Sequence, residues 1–289
     1  MPQTINTNIA SLNAQRNLNT SQASLATSMQ RLSSGLRVNS AKDDAAGLAI
    51  AERMNAQVRG MNVAIRNAND GISLAQTAEG ALGKVGDSLQ RMRELALQAR
   101  NASNSRSDKD SLDKEFGELA KEIQRVLGGT TFNGKNILAT SGAGSQTFQV
   151  GANTTADDSI DISTTDLTTS TLITTLAGTD STGVGRAVID STADAATLKT
   201  VIDDIDQALD LVNAERATLG ASQSRFEAVI ANLQIAAENQ SAARSRIMDA
   251  DFAAETANLS RAQILQQAGT AMVAQANQVP QQVLRLLQG

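Results

Sequence analysis

The segment MDADFAAE contains three carboxylates, Asp249, Asp251 and Glu255, close enough in sequence to bind one cation. On a helix, Asp251 and Glu255 would share a face because they are four residues apart. No histidine and no regularly placed loop glycine accompanies them. The pattern therefore favours a solvated or ion-paired helix face, and we predict no metal ligands here.

The segment GGTTFNGK resembles a phosphate-binding loop, since four residues separate Gly129 from Gly134 and Lys135 follows. A serine or threonine should come next, but Asn136 occupies that position. Asn133-Gly134 is also a strong signal for a tight hairpin, which would place a strand where the phosphate loop needs a helix. We therefore expect no nucleotide, and no cofactor of any other kind.

The sequence of 289 residues contains no histidine and no cysteine. It therefore lacks an imidazole base, a thiol nucleophile and the usual zinc ligands, and it can form no disulfide. Serine, lysine, arginine and carboxylates remain, so an enzyme of unusual composition stays an alternative. These residues form no convergent cluster in the sequence, and we predict no catalytic residues.

The formal net charge of −5 argues against a nucleic-acid partner. The N-terminal segment MPQTINTNIASLNAQ has no basic region and no apolar core, so we expect no cleavable secretory signal peptide. No run of about 18 apolar residues occurs, so we expect no insertion into a membrane.

Apolar residues at helical spacing predict three helices in the first half of the chain. The first ends at Gly35, and the second is predicted over about Asp43–Asn101, with Ser40 and Asp43 as its capping pair. The third ends at Gly128 and Gly129.

The character of the sequence changes over 130–197, where Thr, Ser, Gly and Asp dominate. QTFQV and SIDIS alternate apolar and polar residues and predict short strands. The piece TTDLTTSTLITT has no clear period. We expect this region to be a small, β-rich, solvent-facing insert.

Two seven-residue repeats follow the insert, which is typical of coiled-coil packing. The first predicts the apolar core of a helical rod, formed by Ile205, Val212, Leu219, Phe226 and Leu233. The second consists of Leu265, Met272, Val279 and Leu286. The predicted fold is therefore mainly α, with long antiparallel helices forming a coiled-coil rod from both chain ends and a small central insert rich in β-hairpins.

Both chain ends lack charge. No charged residue occurs from Ala262 to Leu284, and the first one in the chain is Arg16. A helix on a protein surface normally has a charged outer face, so we expect other copies to bury these ends. The predicted polymerisation core contains Ile5, Ile9, Leu12, Leu265, Met272, Val279 and Leu286. An ordinary long helical bundle is the alternative that periodicity alone leaves open.

Long segments of the sequence resemble the bacterial flagellins. The N-terminal ones are INTNIASLNAQRNL, RLSSGLRVNSAKDDAAGLAIAERM and RNANDGISLAQTAEGAL. The C-terminal one is SRIMDADFAAETANLSRAQILQQAGTAMVAQANQVPQQVLRLL. The resemblance covers about 1–140 and 198–289 and implies a structural subunit that polymerises into the flagellar filament for swimming motility.

The resemblance also implies a division of the chain. Residues 1–40 and 252–289 would form the inner filament core, 41–129 and 198–251 the outer core, and 130–197 a variable insert. The subunit would be exported unfolded and added at the distal tip of the extracellular filament. Its implied partners are further copies of itself, an export chaperone, and the cap and hook-associated proteins.

The stretch SLQRMRELALQARN resembles the flagellin site that a host Toll-like receptor recognises. The matching positions are Arg91, Leu95 and, on the neighbouring antiparallel helix, Glu115. An ion pair on the helix surface, with Leu95 in packing, is the structural alternative. For the whole chain, a hook–filament junction protein of the same superfamily and a non-motility coiled-coil protein remain alternatives.

Overall fold

A computed structural model describes residues 7–139 and 143–287, with side chains described as far as residue 278. Its helices are α1 (Ile9–Ser34), α2 (Ala45–Ala99), α3 (Arg106–Gly129), α4 (Thr171–Ala177), α5 (Ala195–Met248) and α6 (Phe252–Leu287). Its strands are β1 (Thr131–Phe132), β2 (Lys135–Asn136), β3 (Gly144–Gln149) and β4 (Ser159–Thr164). The prediction of a mainly α fold with a small β-containing insert is confirmed.

The chain divides into two compact units. The terminal unit contains residues 1–56 and 238–289, and the central unit contains residues 57–237. Helices α1 and α6 lie in the terminal unit, whereas α3, α4 and the four strands lie in the central unit.

Capping residues determine where the first two helices meet their connecting segment. Gly35 ends α1 in the left-handed conformation, with φ of 71°, and its N–H donates to the carbonyl of Arg31. The hydroxyl and the backbone N–H of Ser40 both donate to the Asp43 carboxylate. These bonds lower the pKa of that carboxyl, and the bond from the hydroxyl has the larger effect. Asp44, not Asp43, caps α2 by accepting the N–H of Gly47 at 2.8 Å. The helix therefore begins two residues later than predicted.

The two connecting segments of the terminal unit are joined by backbone hydrogen bonds. The N–H of Arg37 donates to the carbonyl of Met248 at 2.7 Å, and the N–H of Ala250 donates to that of Gly35 at 2.9 Å. A small apolar cluster of Val38, Ala51 and Met248 packs beside them. The end of α1 and the start of α6 are thereby held side by side.

The core of the central unit lies among α2, α3 and α5. Ile205, Val212, Leu219 and Phe226 are fully buried there, and Leu233 is half-buried. The first seven-residue repeat therefore faces inward along most of its length.

The insert begins with the predicted hairpin, in which Asn133 and Gly134 have φ of 50° and 76° and connect β1 to β2. Strands β3 and β4 pair antiparallel over QTFQ and SIDIS, as predicted. The expectation of a solvent-facing insert holds for most of its residues but not for its apolar side. Apolar side chains of β4 and α4 are buried in the same core as the long helices: Ile160, Ile162, Ile173 and Leu176.

Arg186 anchors the segment that connects α4 to α5 onto the side of α3. The Arg186 guanidinium donates to both carboxylate oxygens of Asp113, at 2.9 and 2.5 Å, and these bonds raise its pKa. Asp113 also accepts the N–H of Ile189 at 2.9 Å. Because both charged side chains are mostly buried, loss of either would leave an unpaired buried charge.

Helix α2 lacks a side chain at Gly71, where α5 comes close. A Cβ placed on Gly71 would lie 2.8 Å from the ring of Phe226. That ring is buried and packs edge-on against Phe148 of β3, with 5.8 Å between the ring centroids. Gly71 therefore permits a contact that links two helices and the insert.

Replacing Gly71 with Ala should destabilise the central unit, whereas Gly80→Ala should stabilise it. Both glycines lie within α2, but nothing lies within 4 Å of a Cβ at Gly80. Alanine raises helix propensity by about 0.8–1 kcal/mol at each position, and at Gly71 a steric cost of about 1–3 kcal/mol opposes that gain. Urea unfolding of the monomeric protein measures both variants. Equal stabilisation by the two would contradict the close approach.

Candidate assembly surface

Helices α1 and α6 pair antiparallel, and hydrogen bonds join them near the chain ends. The side-chain amide of Asn8 donates to the carbonyl of Ala276 at 2.7 Å, and the hydroxyl of Ser11 donates to the Asn277 side chain at 2.8 Å. Asn8 also caps α1 by accepting the N–H of Ser11 at 3.1 Å. These uncharged groups fix the register of the pair.

The two helices meet through a narrow seam, which we call the inner seam. Its residues are buried or half-buried, follow one another in steps of three and four, and include many small or polar types. On α1 they are Ser11, Ala14, Leu18, Ser21, Leu25 and Ser28, and on α6 they are Glu255, Leu259, Ala262, Gln266, Gly269 and Val273.

Gly269 shows how close the helices come at this seam. A Cβ there would lie 3.1 Å from the δ-carbon of Leu18. Small residues therefore permit the approach of the two helices, but they also limit how much apolar area the pair can bury by itself.

Several large apolar side chains lie outside the inner seam, on what we call the outer face. Ile9 is 68% exposed, Leu12 52%, Leu265 50% and Met272 62%. Phe252 and Ile264 are also exposed. A surface helix normally has the opposite arrangement, with large apolar residues inside and charged residues outside.

The structure describes four of the seven side chains predicted for the polymerisation core, and all four belong to the outer face. Ile5 lies outside the described residues, and the side chains of Val279 and Leu286 lie beyond residue 278. The repeat that begins with Leu265 and Met272 does not form the inner seam. Periodicity did not indicate the α6 side of that seam, because alanine and glycine carry little hydrophobic signal.

Two open grooves run along the α1–α6 pair. One has a volume of about 380 Å³ and is lined by Ala10, Ala14, Gly269, Leu265 and Met272, among others. The second, of about 520 Å³, lies further along the pair, and its lining includes Arg31, Glu255 and Arg261. Both are concave surfaces that another helix could fill.

Charge in the second groove is only partly compensated. The Arg31 guanidinium lies 3.9 Å from the Glu255 carboxylate, whose side chain is only 10% exposed. The Nε of Arg31 is buried and, among the described residues, has no hydrogen-bond partner. A buried donor without a partner is unfavourable, so this groove also gains from a further contact.

The carboxylates of MDADFAAE have structural partners. Asp249 accepts the hydroxyl of Ser245 at 2.6 Å, and Asp251 caps α6 by accepting the N–H of Ala253 at 2.9 Å. Glu255 faces Arg31. Within the described part of the chain, no three histidine, cysteine or carboxylate residues are grouped as metal ligands. In the GGTTFNGK segment Lys135 begins β2, so the helix that a phosphate loop requires does not follow.

Arg91 and Glu115 form an exposed ion pair between α2 and α3. The guanidinium lies 2.8 Å from the Glu115 carboxylate and 2.9 Å from the Glu94 carboxylate. Hydrogen bonds to both raise the pKa of Arg91, and the bond to Glu94 has the larger effect. Both paired side chains are about half exposed. Leu95 is fully buried in the core beneath them, so its side chain is not part of the accessible surface.

Among the described residues, no helix combines the length and hydropathy that a membrane span needs. The exposed apolar residues of α6 therefore belong to a helix that is not hydrophobic enough overall to cross a bilayer.

Nearly the whole chain is similar in sequence to known proteins of one family. Residues 5–143 match the bacterial flagellin N-terminal helical region, and residues 202–287 match the bacterial flagellin C-terminal helical region. The flagellin of Halalkalibacterium halodurans is 46% identical, with 98% of this chain and 99% of that protein aligned. A Serratia marcescens flagellin is 43% identical over 99% of this chain and 100% of its own length.

Among solved structures, the Bacillus cereus flagellin is 32% identical to this chain over the part compared. The comparison covers 58% of this chain and 88% of that one, with a TM-score of 0.48. The two family regions leave residues 144–201 unmatched, and most of the insert lies within that interval. The chain belongs to the bacterial flagellin family, the structural subunits of the flagellar filament.

Proposed function

We propose that copies of this chain polymerise through the outer face of the terminal unit. The observation that carries the proposal is the exposure of large apolar residues on the outer face of the α1–α6 pair, where Ile9, Leu12 and Met272 have no partner among the described residues that buries them. Leu265 and Met272 also lie in a stretch of α6 that has no charged side chain to solvate it. Burial against neighbouring copies would satisfy both features.

The magnitude of this contribution is large enough to measure. Full burial of a large apolar side chain contributes about 1.5–3 kcal/mol. In the α1–α6 pair, each of the four described residues is still about half exposed. Burial of these exposed parts by a neighbouring copy would contribute roughly 3–6 kcal/mol per copy in total. Micromolar association requires about 8 kcal/mol, so these side chains would supply a substantial share.

Contacts between different surfaces of identical copies extend into a helical filament when they do not close a ring. Leu265 and Met272 line the smaller groove themselves, whereas the groove beside Arg31 lies further along the pair, so the outer face of one copy would bind there on the next copy. Under this proposal the chain acts by polymerisation and not by catalysis, without a cofactor. Residues 1–40 and 252–289 would form the inner filament core, 41–129 and 198–251 the outer core, and 130–197 the variable insert.

We further propose that the chain is exported unfolded, without a cleavable signal peptide, and added at the distal tip of the growing filament. The absence of cysteine supports this route, because no disulfide can prevent unfolding. An export chaperone would cover the terminal helices before assembly. The cap and hook-associated proteins would contact the same helices at the two ends of the filament.

Changing Leu265 to Gln should impair assembly and leave the monomer folded. The substitution removes apolar area without adding charge, and we expect the critical concentration to rise about 4–13-fold, as expected for the loss of about 0.8–1.5 kcal/mol from a side chain that is already half buried in the pair. Ile235→Gln is the matched control, since Ile235 is also exposed but lies in the central unit. Sedimentation and electron microscopy measure assembly, and circular dichroism measures folding.

Removal of residues 1–40 and 252–289 tests the proposal more broadly. A fragment that still forms long filaments would rule out the terminal unit as the assembly surface. If instead the intact chain forms no long homopolymer, the hook–filament junction alternative would be favoured.

A second function is proposed for the exposed pair of Arg91 and Glu115. Its accessibility and its two charged groups suit recognition by a protein, because arginine is frequent among residues that dominate binding energy. We propose that the flagellin-sensing Toll-like receptor of a host binds here. Leu95 would support the site by packing beneath it.

Arg91→Ala should lower receptor signalling by the folded monomer about 10-fold or more, as expected for a binding residue worth more than 1 kcal/mol. Arg93→Ala is the control, because Arg93 pairs with Asp206 of α5 instead, at 2.6 Å. A reporter-cell dose–response curve measures both. If Arg91→Ala kept full potency, Arg91 would have no part in recognition.

A further inference from the structure

Methionine exposure differs between the two units. Of the six methionines that the structure describes, three are buried and Met54 is half-buried, whereas Met29 and Met272 are 57% and 62% exposed. The buried three are Met61, Met92 and Met248. Both exposed methionines belong to the terminal unit, on α1 and α6.

Met272 also lines the groove of about 380 Å³, next to Leu265 and Gly269. No charged side chain contributes to that groove, whose polar lining consists of Asn13, Asn17 and Ser21, all on α1. Met29 is as exposed as Met272 but does not line this groove. The thioether of Met272 is thus accessible before assembly and lies on the surface that assembly would cover.

We propose that Met272 is an oxidation site through which peroxide controls whether a free subunit can polymerise. This inference rests on the proposed function, because it assigns regulation to the same outer face. In the reaction, the Met272 sulfur attacks one oxygen of hydrogen peroxide and the O–O bond breaks. The sulfur gains that oxygen as a sulfoxide and is oxidised by two electrons, while the peroxide is reduced to one molecule of water.

Sulfoxide formation changes the chemistry of the outer face. An apolar, flexible side chain becomes a polar one with a strong hydrogen-bond acceptor. Most of the Met272 surface faces solvent, on the side that a neighbouring copy would cover, and moving a strongly polar sulfoxide oxygen from water into an interface is unfavourable. Oxidation therefore opposes assembly, while assembly shields the thioether from further oxidation.

The test treats the full-length monomer and the assembled filament with the same concentration of hydrogen peroxide. Peptide mass spectrometry follows each methionine, and sedimentation gives the critical concentration of the treated monomer. We expect Met272 to be oxidised in the monomer much faster than Met92, and to be protected at least about 10-fold in the filament. The oxidised monomer should show a critical concentration raised about 10-fold or more, as expected when a polar group is removed from water on assembly.

Two conservative variants test which methionine makes assembly sensitive to peroxide. Met272→Leu removes the sulfur and keeps a similar apolar volume, so peroxide should no longer raise the critical concentration of this variant above its own untreated value. Met29→Leu should remain sensitive to peroxide, because Met272 is still present. Circular dichroism checks that oxidised chains keep their helices.

An unchanged critical concentration after complete oxidation of Met272 would overturn the inference. Rescue by Met29→Leu instead of Met272→Leu would overturn it as well. Failure of the untreated protein to assemble is a separate result, since it would overturn the proposed function and this inference with it.

Discussion

The structure depends on the way α1 and α6 meet. Their inner seam combines small and polar residues with three leucines and one valine, while several other large apolar side chains remain outside. The pair holds its register through contacts such as Asn8 to Ala276 and Ser11 to Asn277. Burial of the exposed side chains would have to come from another molecule. In the proposed assembly, neighbouring copies of the chain supply that burial.

The two units use the same sequence pattern in opposite ways. In the central unit, the repeat that contains Ile205, Val212 and Phe226 faces inward and builds a core that one chain completes alone. In the terminal unit, the repeat that begins with Leu265 and Met272 faces outward. The central unit thus buries its repeat within one chain, whereas under the proposed assembly the terminal unit would bury its repeat against neighbouring copies.

Much of the fold could be predicted from local sequence. Gly35 ends α1, Asn133-Gly134 forms a two-residue hairpin turn, and β3 pairs with β4, because each depends on residues close together in the chain. Helix α4 was missed because its threonine-rich sequence has no helical period. The burial of Ile173 and Leu176 could not be predicted either, since it depends on long helices distant in sequence. In the assembly surface, periodicity identified Leu265 and Met272 as a set, but it could not show which side of α6 faces α1.

A reconstruction of the filament assembled from the full chain, at a resolution that shows side chains, tests the central claim most directly. The measurement is the solvent exposure of Ile9, Leu12, Leu265 and Met272 in the polymer. We predict that all four lose nearly all of their exposure against α1 and α6 helices of neighbouring copies. A filament in which these side chains still face solvent, with subunits joined only through their central units, would contradict the account.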